Sequence, residues 1–242
     1  MFLLEKKIAL EWKKGIVPLL LLLVAISGYL NFMLFNNTGP GRILGAALQK
    51  MEQTEGLFTL EIQEKGQTYN LNFKGHYKNR EIYGHIPAYE LEVYKHTSGV
   101  IFVKDLKDNL WKKAPALKLQ SLQEYFVSPF ELLATWSHLF SSAQLINNPG
   151  GREKVILLHV PAAELAKTGF LQSHPQSCPS ELQCLVNLDT DNLFINRIVL
   201  SLQNNKSRGS IFSRTFSFSR SPEDADEIMP EEIEKLCKDA VL

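Results

Sequence analysis

The chain has 242 residues, and its 26 Lys and Arg balance 26 Asp and Glu, so the formal net charge is zero. That balance removes any global electrostatic reason to expect nucleic acid or an acidic polymer as partner. With 45% hydrophobic and 21% charged residues, the composition is that of a foldable domain and not of a disordered chain.

The N-terminus carries the strongest signal. Residues 1–14 mix Lys6, Lys7, Lys13 and Lys14 with Phe2, Leu3, Leu4, Ile8, Leu10 and Trp12. They form either a short interfacial helix or a frayed cytoplasmic end. From Gly15 to Phe35 no residue is charged, and Ile16 to Ile26 is almost purely aliphatic. At about 1.5 Å per residue the run reaches roughly 31 Å, the thickness of a bilayer's hydrocarbon core. Four lysines precede it and only Arg42 closely follows, so the positive flank faces the cytoplasm. Tyr29, Phe32 and Phe35 fall where an outer interfacial belt is expected. A cleaved signal has a shorter apolar core and a small-x-small site, which Asn31 to Phe35 do not offer. A lipoprotein signal needs a cysteine just after the apolar run, and the first one is Cys178. Residues 15–35 are therefore expected to be a retained signal anchor in the cell membrane, with residues 36–42 a linker and residues 43–242 one extracytoplasmic domain. About 200 residues are enough for a single core.

Asn36 to Gly41 is rich in breakers. Ile43, Leu44, Ala47, Leu48 and Met51 recur at helical spacing, which predicts a helix over 43–53. The period then changes to two. Phe58, Leu60 and Ile62 alternate with polar neighbours, a turn is predicted at 64–67, and Tyr69, Leu71, Phe73 and Gly75 alternate again. A second turn falls at 78–80, followed by Ile82, Gly84 and Ile86, then Tyr89, Leu91 and Val93. His96 to Gly99 turns the chain into Val100 to Lys104, and Lys107 to Asn109 turns it toward Trp111. Short runs of this kind between turn clusters predict an antiparallel meander.

The middle of the chain changes character. Leu117, Leu119, Leu122, Tyr125 and Phe126 predict a helix ended by Pro129. Ser128-Pro129-Phe130-Glu131 opens another, because Ser caps, Pro fits the first helical position and Glu the third. Phe130, Leu133, Trp136, Leu139 and Phe140 form its apolar surface. A loop at 147–151 leads to alternating Val155, Leu157 and His159, then a short helix over 161–167. A hairpin over 185–203 turns at Asp189 to Asn192, and a further turn at 204–209 leads to a strand in which Phe212, Arg214, Phe216 and Phe218 share one face. Pro230 opens a terminal helix with Glu231 and Glu232 in its first turn.

The chemistry-bearing residues form no catalytic pattern. Cys178 and Cys184 are separated by five residues in a compartment that permits disulfides. A bond between them is expected, two unpaired thiols being the alternative. Cys237 reads as a partly buried helix residue. The six histidines, among them His76, His85, His138 and His174, show no ligand spacing, and Asp189 to Asn192 lacks the Gly and distant Glu of a calcium loop. No nucleophile elbow or phosphate-binding Gly loop occurs. No enzyme activity, cofactor or metal is expected.

The stretch from Cys184 through Val186-Asn187-Leu188-Asp189-Thr190-Asp191-Asn192 to Ile198 resembles the strand–turn–strand unit of the LolA-type superfamily. So does Glu92-Val93-Tyr94, leading through Gly99 to Val103-Lys104-Asp105 and Trp111. That superfamily of the bacterial cell envelope includes periplasmic lipoprotein carriers, LppX-type lipid-binding lipoproteins and a periplasmic sigma-factor regulator domain. The resemblance covers roughly residues 43–220 and implies an α+β fold. Its sheet would be strongly curved and antiparallel, an incomplete barrel with helices over the concave face and an apolar cavity between. Members use that cavity for acyl chains, although no functional residue of the carriers can be placed on a position here.

Alternation places apolar side chains on one face of consecutive strands. Joined to the implied curvature, it makes Phe58, Leu60, Ile62, Tyr69, Leu71, Phe73 and Phe216 candidates for lining a lipid site, roofed by Trp136 and Phe140. Tyr77, Phe212 and Phe218 lie on apolar faces too, and for each of these residues ordinary core packing is the competing expectation. Two functions follow: a membrane-anchored binder of lipid, acyl chain or lipoprotein, or a ligand-free protein-interaction or sensor module of the envelope.

Overall fold

The structure is a computed structural model and describes residues 39–54, 56–66, 68–146, 152–168, 181–203, 210–221, 230, 232 and 233. The expected anchor over 15–35, the loop at 147–151, the turn at 204–209, Cys178 and Cys237 lie outside the described residues.

Among the described residues, eleven strands form one open antiparallel sheet. They are β1 (Phe58–Lys65), β2 (Asn70–Lys78), β3 (Glu81–Ile86), β4 (Leu91–Lys95), β5 (Ile101–Asp105), β6 (Trp111–Lys113), β7 (Gln144–Leu145), β8 (Glu153–Pro161), β9 (Glu181–Asp189), β10 (Phe194–Gln203) and β11 (Ser210–Arg220). Their spatial order is β6-β5-β4-β3-β2-β1-β11-β10-β9-β8-β7. The two meanders predicted on either side of the helical middle are thus joined at β1 and β11, the first and last strands in the chain. Leu60 faces Phe218, Ile62 faces Phe216 and Glu64 faces Arg214 across this seam.

The helices are α1 (Pro40–Gln53), α2 (Leu122–Tyr125), α3 (Pro129–Thr135) and α4 (Ala162–Thr168). Pro40 starts α1 three residues before the predicted boundary, since proline tolerates the first turn. Leu44, Ala47, Leu48 and Met51 bury its inner stripe. The Thr54 hydroxyl donates to the Lys50 carbonyl (2.7 Å) at its end. Gly41 is required where α1 meets the turn of 3-10 helix at Ser137–Ser142: a Cβ there would lie 1.9 Å from the Phe140 carbonyl oxygen. Ser128 caps α3 as expected, its hydroxyl accepting from the Glu131 N–H at 3.5 Å. The helix predicted over 117–126 is instead a 3-10 turn at Ala114–Leu117 followed by the single turn of α2, with Lys118 in the left-handed region between them. Likewise Pro87–Tyr89 is a 3-10 turn, so Tyr89 is exposed rather than part of β4; Pro87 has no N–H for a ladder.

α1, α2, α3 and the 3-10 turn at Ser137–Ser142 pack on one face of the sheet, and the inner residues of β1 to β5 and β8 to β11 form one continuous core with them. In β8 the expected face is reversed. Ile156, Leu158 and Val160 are buried, while Val155, Leu157 and His159 take the opposite phase. Both phases of that run are apolar, so alternation cannot choose between them. In β10 the buried positions Ile195, Ile198, Leu200 and Leu202 skip a phase at Asn196, where the register with β9 shifts by a bulge. A second, smaller cluster lies on the outer face of the sheet and contains Tyr94, Phe102, Trp111 and Ile233.

Candidate functional site

The inner face of the sheet holds most of the residues expected to line a ligand space. Phe58, Leu60, Ile62, Phe73, Trp136, Phe140 and Phe216 are all buried in the main core, with Leu71 partly buried against it. Leu60, Ile62, Phe73, Trp136 and Phe216 have 0% accessible surface, so no void large enough for water touches them. The packing is aromatic. Phe73 meets Phe126 edge-on (4.9 Å between centroids), and Phe130 lies 4.8 Å from Phe218 and 5.4 Å from Tyr77. Among the described residues, the Trp136 indole N–H has no acceptor.

Tyr69 is the exception. Its side chain is 39% exposed in the β1–β2 turn, where the Gly66 N–H donates to its carbonyl, and its hydroxyl donates to Glu64 Oε1 at 2.6 Å. The apolar alternation of the sequence ends one step earlier, because a polar partner draws this ring to the rim. Burial, then the bond to Glu64, raise its pKa.

Glu64 opens a polar network at this end of the trough that sequence reasoning missed. Glu64 and Arg214 are inward cross-strand neighbours, 5% and 3% exposed, and form an ion pair. Arg214 Nη1 donates to the Glu124 carbonyl (2.7 Å), and the guanidinium lies over Tyr125 (5.4 Å) and Phe212 (5.6 Å). The Tyr125 hydroxyl donates to the Ile62 carbonyl (2.9 Å), tying α2 to β1. The signal was available, since Glu64 continues the phase of Phe58, Leu60 and Ile62, and Arg214 shares its face with three phenylalanines.

At the opposite end of β2 an open cleft of about 240 Å³ separates α1, the β2–β3 turn and α3. Met51, Tyr77 and Phe130 supply its apolar surface; Glu52, Thr54, Asn79, Arg80, Ser128 and Glu131 supply its polar one. Asn79 and Arg80 both have positive φ (50° and 70°) in a two-residue turn closed by Lys78 and Glu81. This is the type I′ geometry whose twist suits a hairpin, and an arginine at its second position is unusual. The Tyr77 phenol is raised by burial, and Lys95, in the inward phase of β4 with Leu91 and Val93, is lowered by burial against the opposing pull of Glu131. The cleft is therefore an amphiphilic mouth: an apolar floor continuous with the core through Phe130, edged by two carboxylates and a guanidinium.

Cys184 carries a free thiol in place of the expected bond to Cys178. It occupies an inward position on β9 between Leu158 and Leu200, fully buried, and burial pushes its pKa up to about 12. Among the described residues no group of three or more His, Cys, Asp or Glu side chains is placed to hold a metal ion.

The fold and this face define an open eleven-stranded antiparallel sheet whose inner surface is covered by short helices. No family model matches the chain, and no curated protein matches it. Among solved structures it is similar to LprF from Mycobacterium bovis, at 11% identity over 80% of this chain and 96% of that one, with a TM-score of 0.48. It is also similar to a DUF1329 family protein from Desulfovibrio piger ATCC 29098, at 11% identity over 79% and 96% (TM-score 0.36). A third similarity is to a chain of the Pseudomonas aeruginosa MucA/MucB complex, at 10% identity over 80% and 62% (TM-score 0.35).

Proposed function

We propose that this chain is a membrane-tethered extracytoplasmic binding module of the bacterial envelope, without catalytic function, that takes the apolar part of a lipid or similar hydrophobic ligand against the inner face of its sheet. The supporting observation is the amphiphilic cleft. Its floor of Met51, Tyr77 and Phe130 suits an acyl end, and its edge of Arg80, Asn79, Glu52 and Glu131 suits a polar head. At about 240 Å³ it is smaller than the roughly 300–1,000 Å³ of ordinary ligand sites. A long chain therefore enters by displacing part of the helical cover. Apart from α1, that cover is made of α2, α3 and a 3-10 turn, each too short to stand without tertiary contacts. About 0.8 kcal/mol per buried methylene is the return available to the ligand.

The second reading, a ligand-free interaction or sensor module, is favoured by the tight packing of Leu60, Ile62, Phe73, Trp136 and Phe216. Native mass spectrometry of the full chain purified from membranes, followed by titration with a fluorescent fatty acid, separates the two. A retained lipid mass and saturable binding lost in Phe130→Glu support the lipid reading. Absence of any lipid mass, with no binding across a broad lipid panel, hands the function to the interaction module.

The tether rests on the lysine-flanked apolar run at residues 15–35. A reporter fused after Gly41 is expected to be exported, with the mature protein starting at or near Met1. A mature start near residue 36 contradicts the anchor.

A further inference from the structure

The open cleft beside β2 sorts its charges by wall. Glu52 lies in the last turn of α1 and Glu131 in the first turn of α3, so the helical side carries two carboxylates. The facing side belongs to the sheet and is basic. Arg80 lines the cleft from the β2–β3 turn. Lys95 adds a second cation from the inward phase of β4, in register with Ile82, which is in turn the partner of Tyr77. Tyr77 lies between the walls. Burial raises its phenol and a hydrogen bond to Ser128 lowers it; Glu131 then raises it, Arg80 lowers it and Glu52 raises it. Three charges from two walls thus act on one hydroxyl, and Glu131 acts on the Lys95 ammonium as well.

These charges do not close on one another. Among the described residues, Glu52, Arg80, Lys95 and Glu131 make no ion pair. Opposite charges elsewhere on the sheet do pair: Glu92 with Lys104 on the outer face (3.1 Å), and Glu64 with Arg214 at the far end of β1. The cleft instead holds two negative and two positive groups apart. A singly charged head would be attracted by one wall and repelled by the other, whereas a head carrying both signs is complementary to both.

The walls also select the kind of head. Beside its carboxylates the helical wall offers the hydroxyls of Thr54 and Ser128. Oxygen acceptors of this kind satisfy the N–H donors of a primary ammonium. A quaternary ammonium has no N–H to give and is held by aromatic faces instead. On the sheet wall, the planar guanidinium fork matches two phosphate oxygens.

The geometry points to a zwitterionic head-group site in this cleft, which takes a phosphoethanolamine-headed phospholipid with its ammonium against Glu52 and Glu131 and its phosphate against Arg80 and Lys95. The site rests on the lipid-binding function proposed above and adds the head that it selects.

The test keeps the acyl chain constant and varies the head. The full chain in a non-ionic amphipol is loaded with a fluorescent fatty acid. Single-chain lipids of one acyl length bearing phosphoethanolamine, phosphocholine or phosphoglycerol then displace it, with chain-free glycerophosphoethanolamine as a fourth competitor. The phosphoethanolamine lipid is expected to compete about ten-fold better than the other two lipids, the worth of one charge-assisted hydrogen bond. Glu52→Gln and Glu131→Gln are each expected to weaken it several-fold while strengthening the phosphoglycerol lipid. Arg80→Gln and Lys95→Gln are expected to weaken both, with circular dichroism confirming the fold of every variant. If Lys95→Gln does not fold, Arg80→Gln alone reads the basic wall. Equal competition by the three lipids, or a preference for phosphoglycerol in wild type, overturns the head-group site and leaves lipid binding standing. Chain-free glycerophosphoethanolamine competing as well as its lipid assigns the cleft to a soluble ligand and overturns it too. A fatty acid that does not bind at all removes the lipid-binding function, and this site with it.

Discussion

Glu64 on β1 and Arg214 on β11 stand directly opposite each other at the seam of the sheet, and their ion pair is buried on its inner face. The pair joins strands from the two ends of the domain and also holds Tyr69 and the Glu124 carbonyl. Removing one member leaves a buried charge without its partner, a loss of about 3–5 kcal/mol. Glu64→Leu and Arg214→Met are each expected to destabilise by that much in urea unfolding, whereas the double variant is expected to recover most of it. A double variant as weak as the singles would show that the pair does more than cancel its own charges.

Gly75 and Gly84 face each other across β2 and β3, with the Phe73 ring against both. A Cβ on Gly75 would sit 2.1 Å from the Tyr83 carbonyl oxygen, and one on Gly84 2.3 Å from that of Lys74. Gly75→Ala and Gly84→Ala force backbone apart at the inner face and are expected to lower stability by roughly 2–3 kcal/mol. Gly99→Ala, in open space at φ +85°, is expected to cost only about 1 kcal/mol. Thermal unfolding of the three variants gives the order.

Arg80 holds a left-handed conformation that glycine adopts without strain. Arg80→Gly is expected to leave the fold as stable as wild type or up to about 1 kcal/mol more so, while weakening capture of an anionic amphiphile several-fold. A melting curve beside a fatty-acid titration reads the opposite signs. Lower stability together with unchanged binding would remove Arg80 from the site.

Cys184 is held neutral by burial, and its thiol is expected to resist iodoacetamide at pH 8 until the chain unfolds, because the thiolate is the nucleophile. The sign of the pH effect follows. The unfolded thiol ionises near ~8.5 and the folded one only near about 12. The stability this group contributes is complete below the first value and falls at roughly 1.4 kcal/mol per pH unit above it. Wild type is therefore expected to lose stability between pH 8.5 and 10 faster than Cys184→Ala, measured by urea unfolding. Rapid labelling of the folded protein at pH 8 would place the thiol outside the core.

Much of the local structure was written in the chain. Turn residues at Asn79, Gly99 and Asn109 separate runs whose period is two, and Ser128-Pro129 starts a helix where capping chemistry says it must. These features depend on neighbours a few residues apart. What stayed hidden depends on contacts between distant ones. In β8 apolar residues fill both phases, so only packing against β9 and the helices selects Ile156, Leu158 and Val160. The Glu64–Arg214 pair spans the seam between the two meanders, and the outer aromatic row is explained only by Ile233 arriving from the other end of the chain. Hydrophobic periodicity states that a face is buried; which element buries it, and how completely, is settled by tertiary packing, because apolar attraction is non-directional and close packing is not.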